Sequence, residues 1–207
     1  KEARVDLKKR LSSKKVKTDP CENPRITHEL YNQDEDKVLN QMNWLGMHNA
    51  KDDKVKVVFV PCYLDGKDGI FNMHYYDLLI GNDLCAYPSY YEPWGYTPTE
   101  SVAFHVPCIT TDLAGFGLWA NSLKGSESQI VDGVSTIHRS DYNFDEVADN
   151  IRETIIDFAN MDDKTVAQTR KNAAAVAEKA LWKHFIKYYY EAYDVALSNA
   201  RKRMEDK

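Results

Sequence analysis

The sequence predicts an α/β fold: a doubly wound parallel sheet with flanking helices, followed by a helical tail. Three observations carry that reading. Short apolar runs, "KVKVVFVPCYL", "LCAYP", "PCITT" and "GVSTIHRS", alternate with helix-like segments, the pattern of parallel strands joined by helical crossovers. From Asn143 onward apolar residues recur only at helical spacing. And 207 residues with 43% hydrophobic content suffice for one full α/β domain with appended helices, while two complete enzyme domains would be a tight fit.

Taken in order, residues 34–46, "DEDKVLNQMNWLG", place Val38, Leu39, Met42 and Leu45 on one helical face and stop at Gly46. Val55–Val60 reads as a buried strand halted by Pro61. "FNMHYYDLLIGND" is a short helix ending near Gly81, "LCAYP" a second strand, "TPTESVAFHV" a helix and "PCITT" a third strand. "GFGLWANSL" is a glycine turn leading into a helix, and "GVSTIHRS" is a fourth strand. In the tail, Asn143 and Glu146 suggest a capping box, with Phe144, Val147, Ile151, Ile155 and Phe158 on one apolar face. A second tail helix covers about 163–180, and a third runs from about Leu181 to Met204. The domain reading is a basic and polar leading segment at 1–25, a Rossmann-like α/β domain at 26–160 and carboxyl-terminal helices at 161–207.

Residues 1–17 hold eight Lys or Arg and two acids, so the remaining 190 residues carry a charge of −11 within the total of −5. An acidic body argues against a nucleic-acid partner. No apolar run approaches the ~20 residues that span a bilayer, so no membrane partner is expected. The opening lacks an apolar signal core, and Cys21, Cys62, Cys85 and Cys108 show no CxxC spacing, which together point to reduced thiols and a cytoplasmic protein without a secretory leader. His28, His48, His74, His105, His138 and His184 form neither an i, i+4 pair nor an HExxH pattern; they read as structural or surface residues, and no metal site is predicted.

Ligands of open α/β sheets bind outside the carboxyl ends of the strands, and two unusual loops fall there. "YPSYYEPWGYTPTES", residues 87–101, follows "LCAYP", and "TTDLAGFG" follows "PCI". Ordinary turns do not need four or more large aromatics. Thr97 as N-cap, Pro98 as the first helical residue and Glu100 as the capping-box partner would start a helix at this loop, and its N-terminus would suit an anion such as a diphosphate. Glu92, between Tyr91 and Pro93, can accept hydrogen bonds from sugar hydroxyls or stabilise an oxocarbenium-like transition state. Either glutamate could instead serve only to cap backbone amides. No Walker or GxGxxG pattern is present, and Ser89 has no nucleophile elbow around it.

"YPSYYEPWGYTPTES" followed by "VPCITTDLAGFG" resembles the nucleotide-sugar loop of glycogen synthases of the animal and fungal type. The likeness extends through "ITHEL", "LGMHNAKDDKVKVVFVPCYL", "HYYDLLIGNDLCAYP" and "LWKHFIKYYYEAYDVALS", over residues 26–200. It implies the carboxyl-terminal, Rossmann-like half of a glycosyltransferase-B fold, with catalysis in the cleft against an amino-terminal domain that lies outside this chain. It further implies retaining transfer of glucose from UDP-glucose to the non-reducing end of glycogen or another α-1,4-glucan, without a metal or other cofactor. Carried over by motif, Glu92 is the active-site acid at the donor glucose. Trp94, Gly95 and Tyr96 supply backbone amides to the sugar, Thr97 binds a phosphate and Glu100 the ribose. Tyr75 stacks on uracil, the Pro61 loop lines the base pocket, and Tyr91 joins the substrate-binding set.

By this reading the chain on its own should not catalyse. Where eukaryotic members carry a dense arginine cluster that binds glucose 6-phosphate, this chain offers only Arg170, Lys171 and a few scattered lysines, so the resemblance does not carry that regulation over. Sucrose- or trehalose-type transferases, and a non-catalytic nucleotide-binding domain, are the alternatives. The aromatic stripe of "LWKHFIKYYYEAYDVAL" exceeds what one helical face can bury against a sheet, so either the amino-terminal domain or a second copy, making a homo-oligomer, is expected to cover it.

Overall fold

The computed structural model describes residues 25–205, so the basic segment 1–17 and Cys21 lie outside the described residues. The chain divides into two compact units, the first ending at Asn82 and the second beginning at Asp83.

In the first unit, α1 (Lys37–Trp44) follows a 3₁₀ turn at Gln33–Glu35, starts where the Asp36 carboxylate accepts from the Leu39 amide at 2.9 Å, and buries Leu39 and Met42. Asp36 thereby satisfies one of the N–H groups that a helix start leaves free. A second helix, α2 (Tyr75–Leu79), follows a loop in which the buried Asp68 carboxylate accepts from the amides of Ile70, Phe71 and Asn72. The strand predicted at Val55–Val60 is corrected: the segment forms a single parallel bridge, Ile26 with Phe59. Its polar groups are met differently. The buried Asn49 side chain donates to the Val57 carbonyl at 2.7 Å and accepts from the Val57 amide at 2.8 Å, occupying the place a neighbouring strand would take.

The second unit is built on three parallel strands in the order β1 (Cys85–Ala86), β2 (Cys108–Thr111), β3 (Val134–Ile137). Cys85 pairs with Cys108, and Cys108 through Thr111 pair with Val134 through Ile137. Every residue of β2 and β3 is buried, the signature of a parallel sheet covered on both faces. Helix α3 (Tyr96–Ala103) joins β1 to β2, and α4 (Gly115–Lys124) leads from β2 towards β3. On one face Ile109 and Ile137 pack with Val147 and Ile151 of α5 (Phe144–Ala159); each such side chain contributes about 1.5–3 kcal/mol on full burial. Two further helices, α6 (Asp163–Lys179) and α7 (Trp182–Glu205), complete the tail.

Two tail expectations are corrected. Asn143 stands at the N-cap of α5 but forms no capping box. Its amide instead closes the loop leaving β3, accepting from the Ser140 amide at 2.7 Å and donating to the His138 carbonyl at 3.1 Å. Of the predicted apolar face, Val147 and Phe158 are buried while Phe144 and Ile155 are exposed. A 16-residue helix is ~24 Å long, whereas a four-residue strand reaches only ~13 Å, so the helix overhangs the sheet.

The carboxyl ends of β2 and β3 are tied together. The Asp112 amide donates to the Ile137 carbonyl at 3.1 Å, while its carboxylate accepts from the Arg139 amide at 2.9 Å and lies 2.6 Å from His138 Nδ1. Hydrogen bonding to Asp112 and its negative charge raise the His138 pKa above 6.5, with Glu146 and Glu127 acting in the same direction and desolvation opposing them.

Two predictions follow from this packing. A Cβ on Gly117 would sit 2.2 Å from the Thr111 carbonyl oxygen, so Gly117→Ala should destabilise the chain by about 1–3 kcal/mol, the usual range for overpacking. Urea denaturation with an unchanged midpoint would contradict it. For His138, a folded-state pKa above the unfolded value means that the stabilisation is full below the unfolded value and fades as pH rises through the folded one. His138→Gln should therefore lower the unfolding midpoint more at about pH 5.5 than at about pH 8.5; a pH-independent difference would refute the linkage.

Candidate functional site

The loop from Tyr87 to Gly95 leaves the carboxyl end of β1 and is fastened along its length. The Tyr87 amide donates to the Ile109 carbonyl at 2.8 Å, and Thr111 Oγ1 donates to the Ser89 carbonyl at 2.7 Å. Further on, the Glu92 amide donates to the Leu113 carbonyl (3.2 Å), the Gly115 amide to the Glu92 carbonyl (3.1 Å) and the Phe116 amide to the Trp94 carbonyl (2.6 Å). This lays the loop directly on the start of α4, and only glycine permits it at 115: a Cβ there would meet the Pro93 carbonyl oxygen at 2.2 Å.

Helix α3 begins at Tyr96, with Gly95 as its N-cap at φ +106° and no side-chain cap. The expected Thr97 cap and Pro98 first position are thereby corrected: Thr97 is the second helical residue and Pro98 the third. Gly95 adopts a positive φ that other residues resist, so the chain turns into the helix two positions early. Thr99 holds the turn, its hydroxyl donating to the Gly95 carbonyl at 2.8 Å and accepting from Trp94 Nε1 at 3.0 Å. An uncapped helix start presents free N–H groups and the positive end of the dipole.

The structure brings Tyr91, Glu92, Trp94, Gly95, Tyr96, Thr97 and Glu100 to this one edge of the sheet. Tyr91 and Tyr96 are 80% and 75% exposed. The Trp94 ring is instead part-buried in an aromatic cluster, 5.8 Å from Phe116, 5.5 Å from Trp119 and 5.4 Å from Phe185 of α7. Glu92 is half-buried, and its carboxylate makes no hydrogen bond or ion pair among the described residues. Glu100, also half-buried, has an interaction of its own. Tyr75 and Pro61 belong to the first unit. Tyr75 opens α2 with its ring 5.2 Å from that of Tyr76, and Pro61 is part-buried just after the Val55–Val60 segment.

Sequence reasoning missed a polar group at the same edge. Arg139 lies with its guanidinium carbon 4.6 Å from the Tyr90 ring centroid and donates to the Pro88 carbonyl. The Tyr90 hydroxyl donates to Asp141, and that hydrogen bond, with burial, raises the phenol above its ordinary pKa of 10.0, so the hydroxyl keeps its proton. His138, read as structural, is paired with Asp112 in this group. The available signal was position: Asp112 directly follows one predicted strand and "HRSD" forms the carboxyl end of another, where loops of this fold carry function. No group of three or more metal-ligating side chains gathers among the described residues, and no helix among them is long and apolar enough to cross a membrane.

Comparison with known proteins matches residues 1–206 to the family described as glycogen synthase. Among similar proteins, the glycogen [starch] synthase of Neurospora crassa is 32% identical over 197 residues, which cover 95% of this chain and 27% of that protein. Isoform 1 of Saccharomyces cerevisiae is 30% identical over 177 residues, 86% of this chain and 25% of the relative. The liver glycogen [starch] synthase of Rattus norvegicus is 27% identical over 177 residues, with the same coverage of 86% and 25%. The chain thus spans about a quarter of the length of the relatives it matches. With the match running from end to end of the described residues, and with a fastened aromatic and acidic loop at the carboxyl edge of a parallel sheet, the chain belongs to the glycogen synthase family.

Proposed function

We propose that this chain is the nucleotide-sugar-binding part of a retaining glucosyltransferase that moves glucose from UDP-glucose to the non-reducing end of an α-1,4-glucan such as glycogen. The observation that carries the reading is the half-buried Glu92 carboxylate. It has no partner among the described residues, yet it stands on a backbone bonded at both its amide and its carbonyl. Holding such a group without a partner costs stability, and sites that break the rules of packing and pairing are characteristically functional.

In the proposed chemistry, charge develops in two places. The departing diphosphate gathers negative charge, which the N-terminus of α3 stabilises in this scheme, with Thr97 donating to a phosphate oxygen. The sugar gathers positive charge at its anomeric carbon, which the Glu92 carboxylate stabilises. The amides of Trp94, Gly95 and Tyr96 bind glucose hydroxyls; packing of the Trp94 ring against Phe116, Trp119 and Phe185 supports this role by fixing the backbone beside it. Tyr91 borders the donor, Glu100 takes the ribose, Tyr75 stacks on the uracil and the Pro61 loop lines the base pocket. No metal or other cofactor enters this scheme; a domain outside the chain supplies the glucan surface and further cations, and the protein works in the cytoplasm.

The test is glucose transfer to glycogen by the full-length protein, with UDP-glucose and ADP-glucose assayed in parallel. Glu92→Gln should lower turnover by roughly 10²–10³-fold, the scale of losing one transition-state electrostatic contact, while stability does not fall, because the charge removed has no partner to lose. Retained activity, or joint collapse of activity and stability, would sink the assignment. Thr97→Val should weaken UDP binding by roughly 1.5–3 kcal/mol, the range for a hydrogen bond to a charged group, and calorimetry with an unchanged affinity would remove Thr97 from the phosphate site.

A further inference from the structure

We infer that Arg139 is a positioning residue for the loop that carries Glu92, acting through Tyr90 and itself aligned by Asp112; the inference rests on the site reading given above. Arg139 leaves the carboxyl end of β3, a strand that is not a sheet neighbour of β1, yet its side chain spans β2 to reach the β1 loop. Its guanidinium donates to the Pro88 carbonyl and lies over the Tyr90 ring at 4.6 Å. A planar guanidinium can serve a carbonyl with its edge and an aromatic ring with its face at once, which an ammonium cannot.

Arg139 is aligned from below by Asp112, whose Oδ1 accepts from its backbone amide at 2.9 Å and whose Oδ2 is engaged by His138 at 2.6 Å. The far end of Tyr90 is fastened as well, its hydroxyl donating to Asp141. Asn143 braces the turn that carries Arg139 and Asp141, bonding to His138 and Ser140. The β1 loop is therefore held from both other strands: from β2 by Thr111 on the Ser89 carbonyl at 2.7 Å, and from β3 by Arg139 and Asp141 on either side of Tyr90.

Tyr90 precedes Glu92 by two residues, and the next fastening along the chain is the Glu92 amide itself, on Leu113 at 3.2 Å. Between those two points the chain includes only Tyr91, exposed to solvent. Loss of the Arg139 clamp leaves Tyr90 held at its hydroxyl by Asp141 alone and loosens the segment just before Glu92, with the bonds after it intact, so the carboxylate shifts relative to the donor sugar while the fold persists. A displacement of ~1 Å is enough to cost ~10²-fold in rate.

The experiment compares Arg139→Ala, Tyr90→Leu, their double variant and Glu92→Gln in the full-length protein, measuring kcat, KM for glycogen and the urea midpoint. We expect Arg139→Ala to lower kcat roughly 10–100-fold with KM for glycogen unchanged, and Tyr90→Leu to do the same. The double variant should fall within about twofold of the worse single one, because residues acting as a unit are not additive. Wild-type kcat in Arg139→Ala, or losses that multiply in the double variant, overturns the inference. If Arg139→Ala does not fold, Tyr90→Leu decides on kcat alone. An inactive Glu92→Gln beside an unaffected Arg139→Ala refutes the positioning role only, whereas an active Glu92→Gln refutes the site reading beneath it.

Discussion

The close approach of two backbones at the start of α4 organises this structure. Gly115 meets the Pro93 carbonyl and Gly117 the Thr111 carbonyl, each at a distance that no side chain would tolerate. Through this contact the helix that covers β2 also becomes the floor of the loop after β1, with Glu92 and Trp94 bonded to its first turn. A larger residue at either position would separate the floor from the loop or from the strand. The glycines of "GFG" thus act on packing, by removing atoms, rather than on chain flexibility.

Trp94 extends that constraint to the tail. Its indole nitrogen is bonded to Thr99 and its ring is packed among Phe116, Trp119 and Phe185, so α7 reaches the candidate site through a single aromatic cluster. Apart from Phe185 the helix has another character. Trp182, Tyr188, Tyr189, Tyr190 and Tyr193 are exposed, and no residue of the helix is fully buried. Aromatic side chains held in this way carry much apolar area at small entropic cost, and the ladder of Trp182, Tyr189 and Tyr193 rings is preserved along one side of the helix.

Polar groups at the carboxyl edge fall into two kinds. Asp112, His138, Arg139, Tyr90 and Asp141 are satisfied by one another or by backbone, which ties together the loops that follow the three strands. Glu92 lies beside this network without joining it. That contrast separates what shapes the site from what the site is built to use. It explains why motif reasoning reached Glu92, whose surroundings are unusual in sequence, and passed over Arg139 and Asp112, whose chemistry is ordinary and whose significance is positional.

By itself the sequence determined the alternation of strands and helices, the three tail helices to within a residue or two, and the helix stop at Gly46, because periodicity and terminators act over three or four residues of chain. It also marked the loop at 87–101, since no local rule asks for its composition. Tertiary structure alone decided the rest. Val55–Val60 has the composition of a strand but finds the Asn49 side chain where a strand partner would lie. Helix α3 starts at Tyr96 rather than after Thr97 because Gly95 turns and Thr99 holds the turn. Asn143 closes a loop instead of capping a helix. The clamps on the candidate site join residues 22 and 51 positions apart, and such pairings arise only when the sheet assembles, since hydrogen bonds between distant loops depend on where the strands deliver them and leave no period in the sequence.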